Sequence, residues 1–316
     1  MSRAGASPDH TLAVLVFRIH NVCMHTISLA AAKATRMTAL RLRNATSDVP
    51  VCDTDDGPVV SMTSFGERIT SAHLALESIA AGSFRPSRLV LWLDDPRAVH
   101  ALTPGLRRLV RRGLEVRLAE DDGPHKKYYP YVQSERVHRV PLVTADDDWL
   151  FPRRWLETLM REHAADTSTN TSHRARDIAV VGGAVAPYAE WGRIGARGSS
   201  PRNLATGGWG HVLTPRMLEA LRDRHEEFRA AAPRADDIWL HRVAVESGTA
   251  PKSVGRYDHR HILHLPIGSG PTLAETNVDA GGNDRQVSAA WTPEVLARIT
   301  GDTQEPATTL AATDPA

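Results

Sequence analysis

Short apolar runs alternate with amphipathic segments through the first half of the chain. Each run is bounded by polar or turn-forming residues, and this pattern predicts buried strands. They cover Pro58–Ser64, Ser87–Leu93, Leu114–Leu118 and Val140–Ala145. Helical periodicity between them predicts helices over Glu67–Ala81, Leu106–Arg112 and Val132–Val137. This alternation predicts an α/β fold, in which a mostly parallel, Rossmann-like sheet is flanked by helices.

The second half is more mixed, and polar segments set the expected limits of the domain. Strands are predicted over Asp177–Gly182 and His261–Leu265, and helices over Asp236–Ser247 and Pro293–Ile299. We expect a single main domain over residues 58–300. A basic extension and linker over 1–57 would precede it, and a disordered tail over 301–316 would follow it.

The N-terminal extension is the one region with a biased charge. Apolar residues recur there at helical spacing among arginines and lysines, at Leu12, Leu15, Val16, Ile19 and Cys23. Polar residues interrupt the apolar run, so it has the pattern of neither a transmembrane span nor a signal peptide. An amphipathic basic helix within residues 10–43 would contact an anionic membrane surface, dock on the domain or stay disordered. The sequence leaves these alternatives open.

Overall composition narrows the class of protein. Of the 316 residues, 41% are hydrophobic and 24% are charged, as in soluble globular proteins. The net charge of +1 argues against a general nucleic-acid binder, which carries a basic excess. Cys23 and Cys52 are too few for a disulfide framework. We therefore expect a reducing, cytoplasmic setting, at the inner face of the membrane if the N-terminal helix binds lipid.

Three consecutive carboxylates, Asp146-Asp-Asp148, follow the strand Val140–Ala145. Strand side chains alternate between faces, so Asp146 and Asp148 should point the same way and Asp147 elsewhere. Carboxylates beyond the carboxyl end of a buried strand lie where open α/β sheets bind ligands. Such oxygens suit Mg²⁺ or Mn²⁺ carrying substrate phosphates. The alternative is a solvated acidic turn that caps the next helix.

A basic loop, Gly123-Pro-His-Lys-Lys127, precedes this triplet by one helix and one strand. Adjacent lysines behind a Gly-Pro turn suit a diphosphate, because ammonium groups act as point charges. Asp94 and Asp95 end an earlier strand. In the sequence, one acidic strand end precedes the basic loop and another follows it. A nucleotide diphosphate that is held by lysine and bridged by a carboxylate-bound metal needs these parts together. The alternative for an isolated pair of lysines is a solvated basic turn with no ligand.

A second acidic pair, Asp236-Asp237, opens a predicted helix. Either one of these residues is a general base that takes a proton from an acceptor hydroxyl, or the pair only caps the helix. The preceding Gly207-Gly-Trp-Gly210 lets the backbone at Gly208 approach a ligand closely. Trp209 is then either a platform for a sugar ring or a packed core residue.

A cluster of histidines lies late in the chain, at His259, His261 and His264. On one strand, His259 and His261 share a face and His264 points the other way, which argues against a three-histidine zinc site. One of them, His264, is a candidate to complete a metal shell built by Asp146 and Asp148.

Several short motifs, taken in order, resemble those of bacterial GT-A-fold glycosyltransferases related to family 2. The motifs are Thr63-Ser-Phe-Gly-Glu-Arg68, Leu91-Trp-Leu-Asp-Asp95, Gly123-Pro-His-Lys-Lys127, Thr144-Ala-Asp-Asp-Asp148-Trp-Leu-Phe-Pro152, Ala235-Asp-Asp-Ile-Trp-Leu240 and Gly281-Gly-Asn-Asp284. The series covers about residues 58–290. A GT-A-like fold is therefore expected.

This resemblance implies transfer of a sugar from a nucleotide-diphosphate sugar to an acceptor hydroxyl of a glycan, lipid or small molecule. It implies a divalent metal, Mn²⁺ or Mg²⁺, on the DxD-like pair Asp146 and Asp148, and a base at Asp237 or Asp236, as in inverting members. The implied donor-binding residues are Thr63, Ser64, Arg68, Asp94, Asp95, Lys127, Asp146 and Asp147. Gly208 and Trp209 would contact the acceptor.

Three other functions fit parts of the pattern. A metal-dependent phosphohydrolase would use the acidic strand end as a nucleophile, but its usual motif has Thr or Val where this chain has Leu150. A sugar-nucleotide pyrophosphorylase would need a glycine-rich loop after the first strand, and Ser61-Met-Thr-Ser-Phe-Gly66 holds a single glycine. A catalytically inactive sugar-binding module is the third alternative.

Overall fold

The computed structural model describes residues 29–53, 56–255, 262–265 and 281–301. Its strands, numbered in chain order, are β1 (Val59–Thr63), β2 (Arg88–Leu93), β3 (Leu114–Leu118), β4 (Leu142–Asp146), β5 (Trp149–Leu150), β6 (Thr171–Ser172), β7 (Ala175–Asp177), β8 (Val180–Val181), β9 (Ala184–Val185), β10 (Gly192–Arg193), β11 (Asn203–Ala205), β12 (His211–Leu213), β13 (Lys252–Ser253) and β14 (Leu263–His264).

The helices surround these strands. They are α1 (described over 29–46), α2 (Ile69–Ala80), α3 (Pro96–His100), α4 (Pro104–Arg111), α5 (Tyr129–Ser134), α6 (Trp155–Ala164), α7 (Pro215–Asp223), α8 (Glu227–Ala231), α9 (Asp236–Glu246), α10 (Gly282–Ala290) and α11 (Pro293–Thr300). Three of them begin at a Thr-Pro pair. Thr103, Thr214 and Thr292 each accept a hydrogen bond from a backbone N–H in the first turn, which caps α4, α7 and α11.

The central sheet has seven strands in the order β13-β6-β12-β4-β1-β2-β3. β1 pairs in parallel with β2 and β4, and β2 with β3, whereas β12 is antiparallel to both β4 and β6. This mostly parallel sheet, flanked by helices in a single domain, confirms the predicted α/β architecture. A three-stranded sheet, β10-β7-β11, and two antiparallel pairs of strands, β14-β5 and β8-β9, complete the described strands.

Both faces of the central sheet are buried, as the continuous apolar runs predicted. Successive residues of β1 enter opposite cores: Val59 packs in the cluster that contains Leu142, and Val60 packs in the cluster that contains Val143. Helices α7, α9 and α11 cover the first face, and α2, α4 and α6 cover the second. The carboxyl ends of the parallel strands are left free to carry a site.

The N-terminal segment joins the second core from residue 29 onward. Leu40 of α1 and Val51 are buried in that cluster. The fully buried carboxylate of Glu77 accepts hydrogen bonds from Asn44 at 3.1 Å and Arg112 at 2.7 Å, and it forms an ion pair with Arg43. Docking on the domain is therefore the arrangement seen over 29–46. Residues 1–28, which contain the rest of the predicted amphipathic helix, lie outside the described residues.

Two predicted elements differ clearly from the structure, and a third is only partly described. The predicted strand Asp177–Gly182 is broken, because Gly182 and Gly183 adopt positive φ angles and turn the chain back in the β8-β9 hairpin. The predicted helix Val132–Val137 begins earlier, at Tyr129, since Pro130 fits the first turn. Of the late strand, Leu263–His264 is observed, whereas His259, His261 and the tail after 301 lie outside the described residues.

Within the described ranges, no helix combines the length and apolar character needed to cross a bilayer.

Candidate active site

The carboxyl ends of β1, β2 and β4 place several predicted donor residues along one edge of the sheet. Thr63, the last residue of β1, is in register with Trp92 of β2 and with Asp146 of β4. Thr63 Oγ1 donates to the Trp92 carbonyl oxygen at 3.1 Å, so its hydroxyl ties two strands together. Asp94 follows β2 at the same edge. Strand register alone therefore brings the first and fourth strand ends into contact.

Lys127 joins the two acidic motifs. Its Nζ lies 2.9 Å from Asp146 Oδ1 and 2.9 Å from Asp236 Oδ2. The lysine side chain is only 8% exposed. Burial by itself lowers the pKa of Lys127, but Asp146, Asp236 and Asp237 outweigh that effect and raise the pKa well above its ordinary value. A charged ammonium group is thus held between carboxylates from two separate motifs.

The glycine turn Gly207–Trp209 lies directly against these groups. A Cβ atom at Gly208 would lie 2.5 Å from Asp146 Oδ2, so a side chain there would displace the carboxylate. The backbone N–H of Gly207 donates to Asp237 Oδ1 at 2.8 Å. Close approach of the Gly208 backbone to a ligand stays a prediction, and within the described residues its closest side chain is that of Asp146.

Asp237 is the second residue of α9 and remains partly exposed beside this turn. Burial and, after it, the charge of Asp236 raise the pKa of Asp237 to about 7, although Lys127 and the Gly207 N–H oppose the shift. A carboxyl group that titrates near neutral pH can both take and release a proton. Asp236 is the more buried of the two and is ion-paired with Lys127. The two adjacent acids therefore have different partners.

Asp147 is buried on the turn after β4, and its partners differ from those of Asp146. It is 3% exposed and accepts hydrogen bonds from Ser64 Oγ at 2.5 Å and from Arg68 Nε at 3.2 Å. Burial raises the pKa of Asp147 to about 6 against the opposing effects of Arg68 and Ser64. These three residues, each expected to bind the donor, are partners of one another and fix the loop after β1. Direct contact with a donor stays a prediction for them.

Asp148 does not share the surroundings of Asp146. It lies on the turn between β4 and β5, beyond the strand, so the alternation that should have paired the two side chains no longer applies. Asp148 Oδ2 lies 3.1 Å from Arg68 Nη2 and 3.5 Å from His264 Nε2. Although burial raises the pKa of Asp148, the hydrogen bond from His264 and the charge of Arg68 bring it below its ordinary value.

The expected metal ligands are therefore divided between two neighbouring groups. Asp146 lies with Lys127, and Asp148 lies with His264, whose ring packs edge-on against Trp149 with centroids 4.8 Å apart. Within the described residues, no group of three or more carboxylate, imidazole or thiol side chains has the arrangement of a metal site. The set of Asp146, Asp148 and His264 is not assembled as three converging ligands.

Asp94 and Asp95, which follow β2, also have different partners. Asp94 accepts a short hydrogen bond from the buried Lys126, whose Nζ is also 2.7 Å from Asp121 Oδ1. Asp95 is exposed and caps α3, where it accepts a hydrogen bond from Arg97 N at 2.8 Å. The geometry thus keeps Asp94 close to the basic loop and gives Asp95 a helix-capping partner.

Trp209 is half-buried, and its ring is covered on one side by an arginine that the sequence reasoning missed. The guanidinium carbon of Arg174 lies 5.3 Å from the Trp209 ring centroid. Trp149 packs edge-on against the same ring at 5.6 Å, and the Trp209 carbonyl oxygen accepts from Trp155 Nε1 at 2.6 Å. The Trp209 Nε1 atom is buried without a hydrogen-bond partner. The backbone and ring of Trp209 are therefore firmly positioned beside Asp237.

Comparisons with known proteins give structural similarities at low sequence identity. No protein-family model matches the sequence, and no curated protein matches it. One similar structure is the mannosyltransferase PcManGT from Pyrobaculum calidifontis in complex with GDP-Man and Mn²⁺. It is 16% identical with a TM-score of 0.42, over 72% of this chain and 64% of that one.

Two further structures are similar to a comparable degree. CMP:2-keto-3-deoxy-manno-octonic acid synthetase complexed with CTP is 10% identical, with a TM-score of 0.40 over 72% of this chain and 98% of that one. TarS of S. aureus is 14% identical, with a TM-score of 0.43 over 63% of this chain and 35% of that one. The chain thus spans less than two thirds of the mannosyltransferase and about a third of TarS. Its activity has to be argued from its own site.

Proposed function

We propose that this protein transfers a sugar from a nucleotide-diphosphate sugar to an acceptor hydroxyl. The observation that carries the proposal is the position of Lys127, which is buried between Asp146 and Asp236 at the carboxyl edge of the parallel sheet. Ligands bind at this edge in open α/β folds. A cation there offsets the charge of a bound diphosphate and of the diphosphate that leaves as the sugar is transferred.

The carboxylates of Asp146 and Asp148, at the same edge of the sheet, have the oxygen ligands that suit a divalent metal. Asp148 Oδ1 is buried without a hydrogen-bond partner, and Asp146 presents Oδ2 while its Oδ1 accepts from Lys127. Oxygen ligands of this type suit Mg²⁺ or Mn²⁺. Asp146 and Asp148 would hold the ion, which when bound would neutralise charge on the donor phosphates. His264 lies next to Asp148 and would have to reorient to become a third ligand.

Asp237 is proposed as the base that activates the acceptor. Its Oδ1 is fixed by the Gly207 N–H, and the carboxylate is partly exposed to solvent. With a pKa of about 7 it accepts the proton of an acceptor hydroxyl at neutral pH. The oxygen so activated would attack the anomeric carbon as the bond to the donor phosphate breaks. A base at this position supports an inverting outcome, and Trp209 would support the acceptor sugar.

Binding of the donor tests the proposal without any knowledge of the acceptor. Thermal unfolding would be followed with a panel of uridine, guanosine, thymidine and cytidine sugar nucleotides, with Mn²⁺ or with a chelator. A ligand at about a hundred times its Kd stabilises the folded state by about 2.7 kcal/mol, a shift that such a scan detects. We expect one nucleotide class to raise Tm, and to do so more with Mn²⁺. If no sugar nucleotide stabilised the protein, the proposal would be overturned.

A further inference from the structure

Three arginines without carboxylate partners lie near Trp209 and Asp237, where the acceptor is proposed to bind. They are Arg174, which immediately precedes β7, Arg176 within β7, and Arg193 in β10. Among the described residues, none of the three forms an ion pair. On the same small sheet, Arg197 and Arg202 both pair with Asp177, at 2.8 and 3.5 Å. The sheet thus carries paired arginines on one side and an unpaired cluster towards Asp237.

Arg174 is linked to Asp237, the proposed base, through the backbone of Thr206 and Gly207. The Arg174 carbonyl oxygen accepts from Thr206 N at 2.9 Å, and the next residue, Gly207, donates its N–H to Asp237 Oδ1 at 2.8 Å. The guanidinium of Arg174 lies over the Trp209 ring, and its Nε is buried without a hydrogen-bond partner. A buried guanidinium donor that lacks a partner is costly, unless a ligand accepts its hydrogen bond.

The other two arginines are brought together by strand pairing. Arg193 of β10 lies directly opposite Arg176 of β7 in the antiparallel register. Like charges at directly opposed positions destabilise a sheet, so this pair calls for an anion. Arg176 lies over the ring of the buried Tyr188, 4.8 Å from its centroid, and donates to the Trp191 carbonyl oxygen at 3.0 Å. These contacts hold one guanidinium in place while Arg193 remains exposed.

We infer that Arg174, Arg176 and Arg193 bind an anionic group of the acceptor, either a phosphate or a carboxylate. Guanidinium groups are suited to this task because their planar forks match the oxygens of both anions. The inference rests on the proposed function, because it identifies the second substrate of the same reaction. The donor diphosphate has its own cation in Lys127, on the Asp146 side of the glycine turn, so the arginines serve a second anion.

Inorganic phosphate is the probe for this cluster. Its Kd would be measured by calorimetry for the wild type, Arg174→Gln and Arg193→Gln. Arg197→Gln is the matched control, since it removes the same charge from a residue that already has a carboxylate partner. Each cluster variant should weaken phosphate binding by about tenfold or more, the effect of losing a hydrogen bond to a charged group, and the control should not. Arg193 is exposed, so its variant keeps the test valid if Arg174→Gln folds poorly.

Lys127→Ala separates this inference from the proposed function. In that variant, phosphate binding by the arginines should persist while nucleoside diphosphate binding is lost. If Lys127→Ala abolished phosphate binding and the arginine variants kept it, the ion would occupy the donor site and the inference would be overturned. It would also be overturned if the arginine variants lost nucleoside diphosphate as strongly as Lys127→Ala. If no nucleoside diphosphate bound to the wild type while phosphate bound to the arginines, the proposed function alone would fail.

Vesicles distinguish the two sources of such an anion. Co-sedimentation with phosphatidylglycerol but not phosphatidylcholine vesicles, lost in Arg193→Gln, would place the anion on a lipid. Phosphate binding without co-sedimentation would place it on a soluble acceptor.

Discussion

Replacement of Asp237 by Asn should remove catalysis while leaving the fold intact. The amide keeps an oxygen that can accept the Gly207 N–H, so the contact at 2.8 Å is retained. A general base contributes about 10²–10⁴-fold to rate, equivalent to roughly 3–5 kcal/mol of transition-state stabilisation. We therefore expect kcat/KM for transfer to fall by at least about a hundredfold, with donor affinity unchanged.

The pH dependence makes this prediction sharper. With a pKa of about 7 for Asp237, kcat/KM of the wild type should rise from pH 6 to pH 8 and then level off. The residual activity of Asp237→Asn should lack this acid limb. Asp236→Asn is the matched control: it removes the neighbouring negative charge, so the pKa of Asp237 should fall and the acid limb should move to lower pH.

Stability should change with pH in the opposite direction. The folded state raises the pKa of Asp237 from 3.8 to about 7, so it binds more protons than the unfolded chain between these values. Stability is therefore lost as pH rises through this window, by up to roughly 4 kcal/mol for this carboxyl. Asp237→Asn should match the wild type near pH 4 and exceed its Tm above pH 7.

Two outcomes of the turnover measurements would refute the assignment of Asp237 as the base. Near-normal turnover in both variants would leave the acidic pair as a helix cap and remove the base from the mechanism. Loss of turnover in Asp236→Asn with retention in Asp237→Asn would exchange the two roles.

Three further predictions follow from the same structure. Lys127→Ala should weaken binding of a nucleoside diphosphate far more than binding of the bare nucleoside in calorimetric titrations; equal losses would indicate a structural role. Asp148→Asn should sharply reduce the gain in nucleotide affinity that Mn²⁺ provides, and an unchanged gain would remove this residue from the metal site. Deletion of residues 1–47 should lower Tm strongly. It removes two partners of the buried Glu77, and breaking such a network costs about 3–5 kcal/mol. An unchanged Tm in this truncation would contradict the packing of α1.

The first half of the fold follows closely from local pattern. The run Leu114–Leu118 was predicted with the bounds it has in the structure, and β1 differs from its predicted range by one residue at each end. Continuous apolar runs are reliable here because both faces of these strands are buried. The two-residue strands of the second half, such as β6 and β10, carry no comparable pattern, since tertiary pairing alone defines them.

The sequence identified residues of the candidate site, but it did not show which of them contact one another. Asp146, Lys127 and Asp236 were all identified from their motifs, yet only the fold reveals that one lysine bridges both acids. Strand alternation does not apply to Asp148, because it lies on a turn and not in the strand, and its joint metal binding with Asp146 stays a prediction. Arg174 had no local signal, since nothing near it in the sequence marks its position over Trp209.

The central claim is that a nucleotide diphosphate binds at the carboxyl edge of the sheet against Lys127. A crystal structure with the stabilising nucleoside diphosphate and Mn²⁺ tests it most directly. The account predicts phosphate oxygens within hydrogen-bond distance of Lys127 Nζ, with anomalous density for Mn²⁺ at the carboxylates of Asp146 and Asp148. A nucleotide bound elsewhere, with the ion pairs of Lys127 to Asp146 and Asp236 undisturbed, would contradict it.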